Sequence, residues 1–220
     1  MARERKGRGD PQGVLMALEA LPIEPLVPHR LFGNGNPLQV DLGCGKGRFL
    51  LARARTNRNV NFIGIDRLMR RLAKLNIRAG DLGLDNIRLI QADGFDVLTH
   101  LLPPASISAC FVFFPDPWPK RRHHGRRLFC PAFMDALART LVPGGEVHAA
   151  TDDPGYSQAI TALLRGDRRF QTISPHMTLE PEKTEFEIIA ERNGLPVHRM
   201  SARREGSGFG VRGSGRMPEP

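Results

Sequence analysis

Short apolar runs alternate with helical patterns along most of this chain, and that alternation restricts its fold more than any other feature. Leu38–Leu42, Asn61–Ile65, Ile87–Gln91, Ser108–Phe114 and Glu146–Thr151 read as strands. Most are apolar at consecutive positions, the pattern of strands buried on both faces. Between and after them, Arg48–Arg55, Leu68–Ala79, Phe95–Leu101, Pro131–Leu141 and Tyr156–Leu164 read as helices. Pro131 suits a first helical turn, and Pro143-Gly144-Gly145 marks a sharp stop. Repeated strand–helix units imply a mostly parallel sheet with right-handed crossovers and helices on both faces, an α/β sandwich. Phe170–Ile173 and Phe186–Ala190 are expected to add final strands, antiparallel to the rest.

The ends differ from this middle. Residues 1–37 are expected to form a flexible or extended segment: Met1–Gln12 is charged and polar, and Leu21–Pro37 carries Pro22, Pro25, Pro28 and Pro37. One domain is expected over residues 38–200, followed by a flexible basic Gly/Ser/Arg tail over 201–220. The net charge of +9 favours an anionic partner, nucleic acid ahead of membrane or acidic protein. Three irregularly spaced cysteines, Cys44, Cys110 and Cys130, fit neither a disulfide framework nor a zinc site and suit a reducing, cytoplasmic compartment. No metal and no membrane partner are expected. The oligomeric state, monomer or homodimer, is left open.

In sheets of this kind ligands bind outside the carboxyl ends of the strands. An aspartate stands at or near the end of each of the five strands: Asp41, Asp66, Asp93, Asp116 and Asp152. The first strand runs into Gly43-Cys44-Gly45-Lys46-Gly47-Arg48, a glycine-rich turn that opens a helix. Its G-x-G-x-G spacing is neither the dinucleotide fingerprint nor a phosphate-binding P-loop, which disfavours a nicotinamide dehydrogenase. Asp66 can accept both hydroxyls of a ribose. Asp93 can accept from an adenine amino group, or serve only as a helix cap. Asp41 can hold an ammonium group. Ribose, adenine and an amino-acid ammonium are parts of S-adenosylmethionine.

The fourth strand ends in Pro115-Asp116-Pro117-Trp118-Pro119-Lys120, followed by Arg121, Arg122, His123, His124, Gly125, Arg126 and Arg127. A carboxylate between prolines thus adjoins five Lys and Arg side chains with no acid among them. Arginines in such a run suit phosphate binding, which positions RNA without reading bases. Trp118 either stacks on a base or only fixes the loop. Taken together, the glycine loop, Asp66 and Asp93 resemble a class I S-adenosylmethionine-dependent methyltransferase, which implies a Rossmann-like sandwich. The Pro115–Arg127 stretch, Ala150-Thr151-Asp152 and Thr184-Glu185-Phe186-Glu187 resemble the tRNA (guanine-N7-)-methyltransferase family in particular.

That resemblance implies methyl transfer to N7 of a tRNA guanine, in the variable loop, with S-adenosylmethionine as cofactor and tRNA as partner. It implies Asp116 as the catalytic residue. The cofactor is expected on Asp41, Gly43, Gly45, Gly47, Asp66, Asp93 and Asp116. The guanine is expected on Lys120, Asp152, Thr184, Glu185, Phe186 and Glu187, and the RNA backbone on Arg121, Arg122, His123, Arg126 and Arg127. The chain departs from the family pattern at Glu185, where Lys is common, and at Ile188-Ile189-Ala190, where basic residues are common. Asp41 stands where many relatives carry Glu. A class I methyltransferase for another substrate and a non-catalytic RNA-binding module are the alternatives. The intact set of strand-end aspartates disfavours the second.

Overall fold

The structure, a computed structural model, describes residues 15–17 and 25–206. Its centre is a sheet of eight strands in the order β1-β4-β3-β2-β5-β6-β8-β7. The strands are β1 (Leu15–Ala17), β2 (Leu38–Leu42), β3 (Asn61–Asp66), β4 (Ile87–Gln91), β5 (Ile107–Phe113), β6 (Leu141–Thr151), β7 (Phe170–Ile173) and β8 (His198–Arg204). Strands β1 to β6 are parallel, and β8 runs antiparallel between β6 and β7. The consecutive apolar runs have the expected cause: every residue of β3 is buried. The order reverses between β2 and β5, a switch point where open α/β sheets bind ligands.

The helices are α1 (Pro28–Phe32), α2 (Arg48–Thr56), α3 (Met69–Asp81), α4 (Gly94–Asp96, continuing as a π-helix over Val97–Leu101), α5 (Pro131–Thr140), α6 (Pro154–Gly166) and α7 (Glu185–Arg192). Alternation along the strands separates two cores. Val40, Ile63, Ile65, Cys110, Val112 and Val147 face α5 and α6 through Phe133, Leu137, Tyr156 and Ile160. Phe62 and Leu89 face α2 and α3 through Leu50, Leu72 and Leu75. Leu72, Leu75 and Ala79 form the buried stripe of α3, the helical spacing that buries one face of an amphipathic helix.

Several expectations are corrected. Phe186–Ala190 is helix, not strand: Thr184 caps α7 by accepting from the Glu187 amide at 3.1 Å, so the first helical turn competes successfully with the apolar run. Ser201–Arg204 is the second half of β8 rather than tail, paired with both β6 and β7. Helix α5 stops at Thr140, before Pro143-Gly144-Gly145. The chain is already extended at Leu141, which pairs with Ile107, and the Pro-Gly-Gly turn lies within an irregular β6. Two pieces of the N-terminal segment are regular: β1 pairs with β4 on the sheet edge, and α1 begins at Pro28. The expectations for Met1–Gln12 and for residues 207–220 lie outside the described residues.

Candidate active site

Strand β2 delivers Asp41 and the glycine loop, and β3 delivers Asp66 beside them. The loop turns back on β3 through amides of Gly43 and Cys44 that donate to the Ile65 carbonyl at 2.8 and 2.9 Å. Gly43, Gly45 and Gly47 all have positive φ (78°, 56° and 73°), where a side chain would strain the backbone. A Cβ at Gly47 would also lie 2.2 Å from Leu75 of α3. A Cβ at Gly43 would meet no protein atom within 4 Å. Glycine at Gly43 therefore answers to backbone conformation and leaves the cleft beside it clear.

The acids fall into different environments. Asp41 is buried, and no described group donates a hydrogen bond to its carboxylate. Burial, and then the neighbouring charge of Asp66, push its pKa from 3.8 to about 7. Asp66 accepts from the Gly45 amide at 3.1 Å and the Leu68 amide at 2.8 Å, and pairs with Arg71 at 3.4 Å. Asp93 caps α4, accepting from the Phe95 amide at 2.9 Å, so its cap reading is realised; its second oxygen lies 3.8 Å from Arg67.

A cavity of about 240 Å³ opens over the loop. Asp41, Gly43, Gly45, Phe49 and Phe113 line it on the sheet side, and Thr184, Glu185, Phe186 and Ile189 of α7 and its cap line it opposite. Lys46, Arg48 and Arg71 line it too, and the sequence reading passed over them. Arg71 was detectable as the residue one turn into the helix that follows Asp66. The glycine cradle, the uncompensated buried carboxylate of Asp41 and the flanking cations fit a zwitterionic, cationic ligand such as S-adenosylmethionine.

Asp116 hangs from the carboxyl end of β5 and is exposed, in a loop whose two flanks are strained. Phe114 has φ 53° and Trp118 φ 41°, conformations that cost bulky residues about 1–3 kcal/mol and that cluster at functional sites. The loop is held from outside. The Phe114 amide donates to the Ala150 carbonyl at 2.7 Å, and Phe114 stacks on Phe186 of α7 with ring centroids 6.0 Å apart. Arg127 Nε donates to the Pro117 carbonyl at 2.8 Å and its guanidinium lies over Tyr156. Arg126 covers Trp118 at 5.0 Å, with the His123 ring edge-on to the same indole. Trp118 therefore organises the loop, with Arg126 and Arg127 bound into the same arrangement. Lys120, Arg121, Arg122 and His124 are exposed in or beside the 3₁₀ turn Arg121–Arg126.

Asp152 is exposed just past β6, while its neighbour Asp153 caps α6. Glu187 does not reach the cavity lining. It is 2% exposed, accepts from Thr178 Oγ1 and is ion-paired with Arg199 of β8. Among the described residues no group of three or more potential ligands is arranged for a metal, and no helix is long and apolar enough to cross a membrane.

This topology, with a glycine loop and paired acids at the switch point, defines a class I methyltransferase. Solved structures share the fold: the 16S rRNA methyltransferase KamB matches with a TM-score of 0.62 at 16% identity, over 81% of this chain and 92% of that one. The 16S rRNA (adenine(1408)-N(1))-methyltransferase of Catenulisporales acidiphilia matches with a TM-score of 0.56 at 18% identity, over 81% and 90%. Residues 35–200 match the family described as "Putative methyltransferase". The tRNA (guanine-N(7)-)-methyltransferase of Nocardia farcinica is 42% identical over 188 residues, 79% of this chain and 70% of that protein. The protein of the same name from Mycobacterium tuberculosis is 39% identical over 212 residues, 93% and 81%. The chain belongs to the tRNA (guanine-N(7)-)-methyltransferase family, S-adenosylmethionine-dependent enzymes.

Proposed function

We propose that this chain methylates N7 of a guanine in tRNA, the variable-loop guanine, giving N7-methylguanosine, and that it does so in the cytoplasm. One observation carries the reading of the site. The cleft over the glycine loop is roofed by Thr184, Glu185 and Phe186, while Phe186 stacks on Phe114 at the base of the Asp116 loop. The base of the Asp116 loop is thus tethered to the helix that roofs the cleft, which supports a shared site for cofactor, guanine and acid.

S-adenosylmethionine, when bound, supplies an electrophilic methyl group on a sulfonium. Guanine N7 has a lone pair and no proton, so no base has to act on the nucleophile. The protein's work is alignment at near-attack distance, which can supply several kcal/mol of the barrier. The ring gains positive charge as N7 is methylated, and in this reading Asp116 is the carboxylate that stabilises that charge. Asp41 faces the ammonium group, Asp66 the ribose and Asp93 the adenine, with Lys46 and Arg48 available to the carboxylate. Lys120 and Asp152, with Thr184, Glu185 and Phe186, hold the guanine. Glu187 contributes by fixing α7 through Arg199. Arg121, Arg122, His123 and Arg126 meet the RNA backbone, and Arg127 serves that surface by tying down its loop.

The test is incubation with unmodified tRNA and methyl-labelled cofactor, then chain cleavage at N7-methylguanosine. A single labelled guanine in the variable loop is expected. Label at another base, or none, overturns the reading.

A further inference from the structure

The glycine loop has a second basic neighbour, on the side of the cleft away from Asp116. Arg67, Arg70, Arg71, Lys74 and Arg78 lie on or just before α3, and all are exposed. Residues 69–80 contain no acid, and the one acid of α3, Asp81, is its last residue. A solvated helix face needs only polar residues, and in the first turn carboxylates serve better, because cations there oppose the helix dipole. Helix α3 has no acid in its first turn, carries Arg70 and Arg71 there, and is preceded by Leu68, which offers no side-chain cap. Cations in the first turn are thus unfavourable for the isolated helix and point outward, to an anionic partner.

Three of these cations have partners within the protein. Arg67 lies 3.8 Å from Asp93, Arg71 3.4 Å from Asp66, and Arg78 donates to the Lys46 carbonyl at 2.9 Å. Arg70 and Lys74 have no acidic partner among the described residues. Arg70, Lys74 and Arg78 recur every fourth residue, roughly 6 Å apart along the axis, a row suited to an extended line of charges. The patch begins at the cleft, which Arg71 lines. The 3₁₀ turn Arg121–Arg126 follows β5, two strands from β3 in the order β3-β2-β5. At about 4.8 Å per strand, the carboxyl ends of β3 and β5 lie roughly 10 Å apart, so the two cation-rich elements follow strands on either side of β2.

We propose that α3 is a second contact for the tRNA backbone. A tRNA whose target guanine enters beside Asp116 crosses the cleft mouth and lays phosphates of its body along Arg70 and Lys74. These contacts set the register of the substrate and read no base. The proposal rests on the tRNA reading above.

The test compares full-length wild type with the double variant Arg70→Ala, Lys74→Ala, the two cations with no acidic partner among the described residues. Affinity for unmodified tRNA is measured across a salt series. The expected result is affinity weakened about tenfold at low salt, with a salt slope reduced by about 1.4–1.8, two phosphate contacts' worth. Melting temperature and S-adenosylmethionine affinity stay at the wild-type values. A second variant, Arg70→Lys with Lys74→Arg, keeps the charges and is expected to keep the slope. A double-alanine variant with wild-type slope and affinity overturns the α3 surface alone, as does a charge-preserving variant as weak as the alanine one. A wild type that neither binds nor methylates tRNA overturns the functional reading and this surface together.

Discussion

The two walls of the cleft are built by different physics. The cofactor wall is packed by area: Leu50, Leu72, Leu75, Phe62 and Leu89 close α2 and α3 onto the sheet, and the glycine loop sits on that floor. The opposite wall, proposed above to hold the guanine, covers β5, β6 and β8 without such a helix pair. A strap, residues 174–184, crosses there and leads into α7, and directed pairs hold it. Arg48 pairs with Glu180, Arg53 with Glu182, and Glu187 with Arg199. Beneath the strap Phe111 lies against His148, His176 and the Arg53 guanidinium, at 5.1, 5.7 and 5.0 Å. Burial, and then the charge of His176, hold His148 down at about pH 4, so it is neutral in that stack near pH 7. A wall packed by area is indifferent to any one polar group. A wall of pairs depends on each, and can be moved by changing one.

Glu187→Ala is the severest way to break the contrast. It leaves Arg199, 15% exposed, without its partner, and loss of one member of a buried pair costs about 3–5 kcal/mol. Denaturant unfolding measures this; a loss below 1 kcal/mol would show that the pair does not hold α7. Asp116→Asn leaves both walls intact, because the side chain is exposed, and is expected to slow methyl transfer by about 10²–10³-fold with normal folding. Single-turnover rates at saturating cofactor and tRNA decide it, and an undiminished rate removes Asp116 from the chemistry.

Gly47→Ala attacks the other wall through its packing. A methyl group there would lie 2.2 Å from Leu75 and the residue keeps φ near 73°. A destabilisation of about 1–3 kcal/mol is expected, with weaker cofactor binding, read by thermal melting and calorimetry. Asp41 tests the same wall by pH. Its folded-state pKa is raised, so between pH 3.8 and about 7 the folded protein holds a proton that the unfolded chain has released. Stability of the ligand-free protein therefore falls as pH rises through that window, and Asp41→Asn flattens this dependence. Affinity for the cationic cofactor should run the other way, rising toward pH 7 as the carboxylate ionises. The smallest effect is at the strap's outer clip: Arg48→Ala removes a half-exposed ion pair, costing less than about 1 kcal/mol. Hydrogen exchange should still quicken in α7 while the amides of α2 hold.

The same contrast explains what could be read from the sequence. The cofactor wall was legible because buried parallel strands print consecutive apolar residues, and because Gly43, Gly45, Gly47, Asp41 and Asp66 follow local rules of turn and strand end. The guanine wall was read through its motifs but not its form. Phe186–Ala190 looks like a strand by composition, although Thr184 and Glu187 carry the spacing of a helix cap. Strand β8, His-Arg-Met-Ser-Ala-Arg-Arg, hides in polarity because its polar groups find partners in other elements: Arg199 with Glu187, Arg203 with Glu146, and Ser201 with His148. Nothing local announces pairings that reach 12 to 57 residues away.

The contact between Gly47 and Leu75 has a mechanical side. Leu75 fills the space that a side chain at Gly47 would need, and Arg78, on the next turn, grips the carbonyl of Lys46. The cofactor loop and the helix behind it are thus clamped at two points, as a lever is fixed to its pivot. The position of the loop is therefore tied to the position of the helix, at Gly47 by packing and at Lys46 by a hydrogen bond.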